Sequence, residues 1–435
     1  VSATETAVPD STPLFTRDFR LFFTGQFVSS LGNGITDFAL PLLIYQITGS
    51  ELGLGLAFAI RVIPYLLFGL PVGAWVDRLD RKKLMVVSDV LNGLLLIPIP
   101  ILGLSGLLPV ELIFVFLFLS STLNLVFDTG QFAAVYSLVD RNRLVAANGR
   151  LRASFQITSV VGAPIVGLLV WLGVRLELIL LIDAISFIVS AAALLAIRRS
   201  FNAPPDDEPV PVQTLLTDIR EGLRFILSNP LMRATLALAA VINLTTTVIP
   251  AQLIAFGTNW LDAGEFHLGL LTAAGAGGAI ILALSAEALR DRFSFSVVTI
   301  ASMVAAGLLV VALSLTSSVW VALPFWGLAL GMTILFNICL RSLQQQITPP
   351  RMMGRVSASS QVVTWAVIPV GALGGSWIAD QTGRLDMVYL FAGLSMIVAA
   401  ALFFTLSALR HPTRYTPEAA AGRDLPRATA PGASA

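Results

Sequence analysis

The stretch Gly69-Leu70-Pro71-Val72-Gly73-Ala74-Trp75-Val76-Asp77-Arg78-Leu79-Asp80-Arg81-Lys82-Lys83 passes from an apolar run into a knot of basic side chains. Gly69 and Gly73 lie four residues apart, a spacing that lets a neighbouring helix come close. Asp77 falls where the apolar run ends, among Arg78, Arg81, Lys82 and Lys83. An apolar helix that stops at arginine and lysine reads as a membrane span leaving the bilayer on its cytoplasmic side.

The composition agrees. Of 435 residues, 56% are hydrophobic and 12% are charged, against a charged share of about 25% in soluble domains. A soluble fold of this kind would lack polar surface to cover itself, and a bilayer supplies the missing apolar solvent. The 34 glycines and 23 prolines do not signal disorder here, because neighbouring helices re-satisfy the backbone groups they free. A net charge of +1 gives no attraction to nucleic acid. The single cysteine, Cys339, excludes an intramolecular disulfide and a cysteine-based metal cluster.

A span needs about 20 residues. The apolar runs give twelve, at 19–45, 52–76, 84–104, 109–137, 147–172, 176–197, 230–257, 267–289, 294–315, 319–343, 354–379 and 387–409. Their connections alternate in charge. One set carries Arg78 to Lys83, then Arg141, Arg143, Arg150 and Arg152, then Arg198, Arg199, Arg220 and Arg224, then Arg290 and Arg292, then Arg351 and Arg355. The other set holds little beyond Arg175 and Arg384. This bias puts both termini in the cytoplasm. The richness in Ala, Arg, Gly and Val suggests a GC-rich bacterium, hence a multi-pass protein of its inner membrane.

The longest polar connection, 200–229, holds Pro204, Pro205, Asp206, Asp207 and Glu208, then apolar residues at helical spacing from Leu215 to Leu227. That pattern suggests a short amphipathic helix on the membrane surface. The expected organisation is therefore a cytoplasmic tail at 1–18 without a leader, a six-helix bundle at 19–199, the linker at 200–229, a second six-helix bundle at 230–410, and a disordered cytoplasmic tail at 411–435. The halves echo each other. Gly149, Arg150, Ala153, Ser154, Gln156 and Pro164 recur 205 residues later as Gly354, Arg355, Ala358, Ser359, Gln361 and Pro369. Phe127-Asp128 has a counterpart in Phe336-Asn337. Small residues recur in any tight bundle, but the shared Arg, Gln and Pro favour duplication. Two such repeats suit alternating access around a central cavity.

With this organisation in place, the opening stretch resembles the signature loop of the major facilitator superfamily, between its second and third helices. Gly73, Asp77, Arg78, Arg81 and Lys82 match, and Asp80 stands where the family pattern has glycine. The resemblance implies an all-α fold of twelve transmembrane helices in two pseudo-symmetric bundles. It also implies that Asp77, with a helix-end dipole and arginine, forms a latch for the outward-open state. In the fifth span, Gly162-Ala163-Pro164-Ile165-Val166-Gly167 is similar in part to the antiporter stretch of proton-driven exporters. Ala163 and Leu168 depart from that pattern, and a plain bend or packing face is the alternative. With Asn33, Gly34 and Asp37 in the first span, the whole looks most like the drug- and siderophore-exporting branch, of macrolide and enterobactin type.

Charges at membrane depth are costly unless paired, hydrated or neutralised. Asp37 in the first span and Arg61 in the second lie at similar depth, because the two helices run in opposite directions, so an ion pair is feasible. Asp128 lies deep in the fourth span and shares a face with Gln131. The expectation is that Asp37 and Asp128 line a cavity and that at least one exchanges a proton. The alternatives are a permanent Asp37–Arg61 strut, and an Asp128 that pairs with Arg152 near the rim. Asn33 joins this candidate set. So does Asn337, the repeat-mate of Asp128, which is expected to face the cavity. Phe38 and Phe127 are the candidate apolar lining. Asp89 and Asp183 read as packing-network residues.

No Gly-x-x-x-x-Gly-Lys-Ser/Thr loop, His-Glu-x-x-His pair or Gly-x-Ser-x-Gly elbow occurs. An enzyme, a cofactor and a metal site are not expected. The expected partners are a small hydrophobic or amphipathic substrate, a proton with sodium as the alternative, and lipid, with no nucleic acid and a monomer as the working unit. The expected function is a secondary active exporter, a proton antiporter working by alternating access. The competing readings are a narrow-specificity siderophore or natural-product exporter, an uptake or lipid-moving transporter, and a non-transporting sensor or scaffold.

Overall fold

A computed structural model describes residues 16–76, 79–140, 143–201, 212–349 and 352–405. The expectations for Asp77 and Arg78, and for both tails, fall on residues outside these or largely so. The first six spans are α1 (Arg17–Thr48), α2 (Glu51–Val76), the pair α3 (Arg81–Leu96) and α4 (Pro98–Leu104), α5 (Val110–Leu138), α6 (Leu144–Trp171) and α7 (Leu176–Ala196). The linker forms α8 (Val212–Ser228). The seventh span is α9 (Pro230–Thr246) with α10 (Val248–Ala251), followed by α11 (Leu253–Asn259). The last five are α12 (Glu265–Arg292), α13 (Phe295–Leu315), α14 (Val319–Ile347), α15 (Met353–Thr382) and α16 (Leu385–Thr405). Among the described residues twelve segments are long and apolar enough to cross a membrane.

Two spans that read as single runs are broken. Pro98 opens α4 directly after α3 ends, and Pro250 lies four residues beyond the end of α9 at Thr246. Proline has no N–H to give and its ring collides with the carbonyl four residues back, so the helix breaks there. Asp80 explains its own departure from the glycine pattern. It is the N-cap of α3, and its Oδ1 accepts from the Lys83 N–H at 3.1 Å. Gly49 (φ 60°) and Gly383 (φ 63°) end α1 and α15 in the left-handed region, which glycine enters without strain.

The two halves share one plan of helix pairing. In the first, α1 packs on α6 and α7, α3 on α5 and α7, and α2 on α5. In the second, α9 packs on α15 and α16, α13 on α14 and α16, and α12 on α14. Each pair of the first set maps onto a pair of the second when the six spans are laid in order. The two arginines that break the charge bias are also a repeated device. Arg175 pairs with Glu177 at 2.9 Å and Arg384 with Asp386 at 2.8 Å, each at the start of the sixth helix of its half.

The linker helix is anchored to the second half. Glu221 of α8 forms an ion pair with Arg355, and Ser359 Oγ donates to the Ile219 carbonyl at 2.8 Å. Gly222 lies so close to the Arg355 carbonyl that a Cβ there would collide with it. Large apolar side chains such as Leu67, Leu284 and Leu315 are exposed on the outside of the bundle, where a bilayer would cover them.

Candidate functional site

The halves meet along two seams, α6 against α12 and α2 against α15. Let the end that carries Arg81, Lys82 and Arg355 be the basic end, and the opposite one the outer end. A dense set of contacts joins the halves at the outer end. Ser50 Oγ donates to Asp380 Oδ1 at 2.9 Å, and Gln252 Nε2 donates to the Glu51 carbonyl at 2.6 Å. Asn259 Nδ2 donates to Tyr45 Oη at 2.6 Å. Glycines bring the backbones together: a Cβ on Gly167 would lie 2.8 Å from the Glu265 carbonyl oxygen, and one on Gly269 would lie 2.6 Å from that of Ala163.

Behind this closed end lies a cavity of about 320 Å³ between the halves. Asp37 and Phe38 of α1, Phe58 and Arg61 of α2, and Trp326 of α14 form part of its wall. Arg61 Nη2 stands 2.6 Å from Asp37 Oδ1, and both side chains keep partial exposure to the cavity, 37% and 53%. The antiparallel run of α1 and α2 makes this possible, as the sequence suggested. The walls around the pair are mostly apolar, so an ordered ion pair of both signs sits inside an apolar chamber.

A second cavity, of about 420 Å³, lies in the first half towards the basic end. Asn33, Asp89, Phe127, Asp128, Gln131 and Arg152 help to line it. Asp128 Oδ2 accepts from Tyr65 Oη at 3.1 Å. The Tyr65 ring in turn meets Trp365 of the other half edge-on, with centroids 6.1 Å apart. Gln131 Nε2 donates to Gln26 Oε1 at 2.7 Å, and Gln26 Nε2 to Ser190 Oγ at 3.3 Å. The two acids singled out in the sequence thus occupy different cavities.

Other candidates are placed differently from expectation. Asn337 donates to the Thr333 carbonyl of its own helix at 3.0 Å and is in the wall of neither cavity. The repeat predicts its position but not its use, because an uncharged amide can satisfy itself within one helix turn. Gly162 lies against Gly34 where α6 crosses α1, while Pro164 and Gly167 lie against α12 of the other half. α6 is continuous through Pro164, and this stretch packs against α1 and α12. Lys82 Nζ donates to the Ile197 carbonyl at 2.6 Å, and Arg81 Nη1 reaches the Phe201 carbonyl at 3.4 Å. Lys82 thus holds the end of α7 within the same half, where a cation meets the negative end of a helix, and Arg81 holds the segment that follows it. Gly73 lies inside α2.

One feature escaped the sequence reading, and a second was read only in part. Asp380 accepts both from Ser50 Oγ and, at 3.5 Å, from the Leu52 N–H, so an acid of the second half caps α2 of the first. Asp89 and Asp183 are 2% and 1% exposed, and each has one carboxyl oxygen without a hydrogen-bond partner. The signal for the second was present: Asp183, Ser186 and Ser190 make a polar stripe at helical spacing on α7. Among the described residues, no three His, Cys, Asp or Glu side chains converge as a metal site.

Known proteins share both the sequence and the shape. The Multidrug efflux pump Tap of Mycolicibacterium fortuitum is 25% identical over 90% of this chain and 96% of its own length. The Enterobactin exporter EntS of Escherichia coli O9:H4 (strain HS) is 28% identical over 93% of this chain and 95% of its own. The nucleoside transporter NupG superposes with a TM-score of 0.73 at 14% identity, over 90% of this chain and all of NupG. A bacterial homologue of the iron transporter ferroportin superposes at 0.71 in its inward-facing state (18% identity, 89% and 98% of the chains) and at 0.55 in its outward-facing state (19%, 89% and 99%). The sequence profile of the Major Facilitator Superfamily matches residues 22–371, so the chain belongs to that superfamily of transport proteins and is not an enzyme.

Proposed function

We propose that this secondary-active, alternating-access transporter exports a compact amphipathic molecule of narrow chemical range in exchange for protons, and that the molecule binds at Asp37 and Arg61. The observation that carries the reading is the 2.6 Å ion pair inside the apolar cavity between the halves. Opposite charges within an apolar chamber give a ligand two fixed polar contacts, while the walls accept its apolar body. Such a ligand displaces one member of the pair, and the freed carboxylate is then available to a proton. The relative named as an enterobactin exporter, at 28% identity, supports a narrow natural product as cargo.

A second reading is broad-range efflux of hydrophobic drugs. The apolar rings of Phe38, Phe58 and Trp326 in the same wall favour it, as does the relative named as a multidrug pump. Transport in proteoliposomes with imposed proton and sodium gradients, against dyes, antibiotics and siderophores, separates the two. The first reading expects one chemical class to move outward, driven by the proton gradient. Movement of many unrelated dyes would support the second. Accumulation only in the inward direction would refute export.

A further inference from the structure

Both cavities take wall residues from α1 and α6, and α7, which packs on α1 and α3, carries a carboxyl group facing α1. Asp37 lines the central cavity and Asp89 lines the second. Asp183 of α7 is buried against α1 and within electrostatic range of Asp37, and Asp89 is in turn within range of Asp183. Helix rise orders the three by depth: Asp89 is about 12 Å, Asp183 about 20 Å and Asp37 about 30 Å from the basic ends of their helices.

The surroundings of Asp183 are built around it. Its Oδ1 accepts from Ser186 Oγ at 2.9 Å, while its Oδ2 has no partner. A Cβ on Gly32 would collide with Asp183 Oδ1 and with Ser186 Oγ, so the glycine in α1 makes the space the carboxyl fills. Thr36 of α1 and Ser190 of α7 place hydroxyls beside Asp183 and Asp89 respectively. Among the described residues, the charged groups facing Asp183 are Asp37 from α1 and Asp89 from α3, both acids. Asp37 carries its own counter-charge in Arg61, whereas Asp183 forms no ion pair among the described residues, and a buried carboxyl group without a paired cation is costly to ionise.

We propose that Asp183 is a proton-carrying site, and that Asp37, Asp183 and Asp89 form a proton passage through the first half that leads from the substrate site at Asp37 to the second cavity. Each step moves one proton from a carboxylic acid to the next carboxylate, through a hydroxyl or a water. One O–H bond breaks, one forms, and the negative charge moves the opposite way. The purpose of the passage rests on the proton-exchange reading above, but its central element can be tested without any substrate.

The test is infrared difference spectroscopy of the purified full-length protein in lipid, comparing native protein with Asp183→Asn and Asp89→Asn. The native protein should show a protonated-carboxyl C=O band that Asp183→Asn removes. In D2O that band should shift promptly in native protein and slowly in Asp89→Asn. Absence of a band that depends on Asp183 overturns the proposal. A band that never shifts in D2O overturns it too, because a sealed acid conducts nothing. A D2O shift as fast in Asp89→Asn as in native protein removes Asp89 from the path and overturns the passage as drawn. Should Asp183→Asn fail to give a monodisperse protein, Ser186→Ala is read instead. It removes the donor to Asp183 and should move the same band, and an unmoved band counts against the proposal. Transport assays can fail for want of the right substrate without affecting any of these readouts.

Discussion

Ser50 Oγ lies 2.9 Å from Asp380 Oδ1, so an acid from one half of the molecule caps the first turn of a helix in the other. The Leu52 N–H points at the same oxygen. A carboxylate at a helix N-terminus answers both the free N–H groups and the helix dipole. The arrangement can exist only while the outer end is closed, because rocking the halves apart would separate α2 from α15.

Asp380→Ala should therefore favour the state in which the halves part at the end opposite the basic one. Loss of a half-buried cap costs about 1 kcal/mol, which corresponds to roughly a five-fold change in the ratio of the two states. Spin labels at Trp171 and Trp320, on exposed outer-end positions of the two halves, would report it as a larger population of long distances. An unchanged distance distribution would show that the cap does not bias the equilibrium.

Gly167→Leu should act in the same sense as a loosened cap, by blocking closure instead of weakening it. A Cβ at Gly167 meets the Glu265 carbonyl oxygen at 2.8 Å and the Phe266 Cα at 2.9 Å, and neither is a flexible side chain. Overpacking of this kind costs about 1–3 kcal/mol. Transport should fall sharply while the protein remains folded. Gly149→Ala is the control: nothing lies within 4 Å of its Cβ position, so transport should be unaffected.

Lys82→Gln should lower the thermal stability of the purified protein, by about 1 kcal/mol or less for a cation lost from a helix C-terminus. Lys83→Gln should not, since Lys83 is 83% exposed and its ion pair with Asp80 is long, at 3.6 Å. Melting curves in one detergent compare the two directly. Equal effects would mean that the bonds from Lys82 to the Ile197 and Leu195 carbonyls contribute nothing.

The sequence was most informative where one physical constraint acts on many residues. Bilayer thickness forces long apolar runs, and the basic connections mark alternate ends, so twelve spans could be laid out without coordinates. Asp37 and Arg61 could be matched because opposite helix directions fix their relative depth. Asp380 could not be found that way: its partner Ser50 is 330 residues distant and in the other half, and no local pattern encodes the pairing. Asp128 could be marked as cavity-facing, yet its partner Tyr65 is on a helix whose rotation the apolar pattern leaves open. Asp183 was legible as an acid at depth, but a single buried acid reads equally well as part of a packing network. Only the helical stripe with Ser186 and Ser190, seen together with Gly32 opposite, distinguishes it.

The central claim is that Asp37 and Arg61 are a working site and not a strut. Both side chains are partly exposed to the cavity, so neutralising one should cost the fold only about 1 kcal/mol after solvent screening. The most direct test is proton-driven transport in proteoliposomes by native protein, Asp37→Asn, Arg61→Gln and the double variant, using the compound returned by the substrate panel. The account predicts that all three variants fold and that none couples transport to the proton gradient. A double variant that transports at the native rate with native dependence on the gradient would contradict it, because a strut can be replaced by a neutral pair and a site cannot.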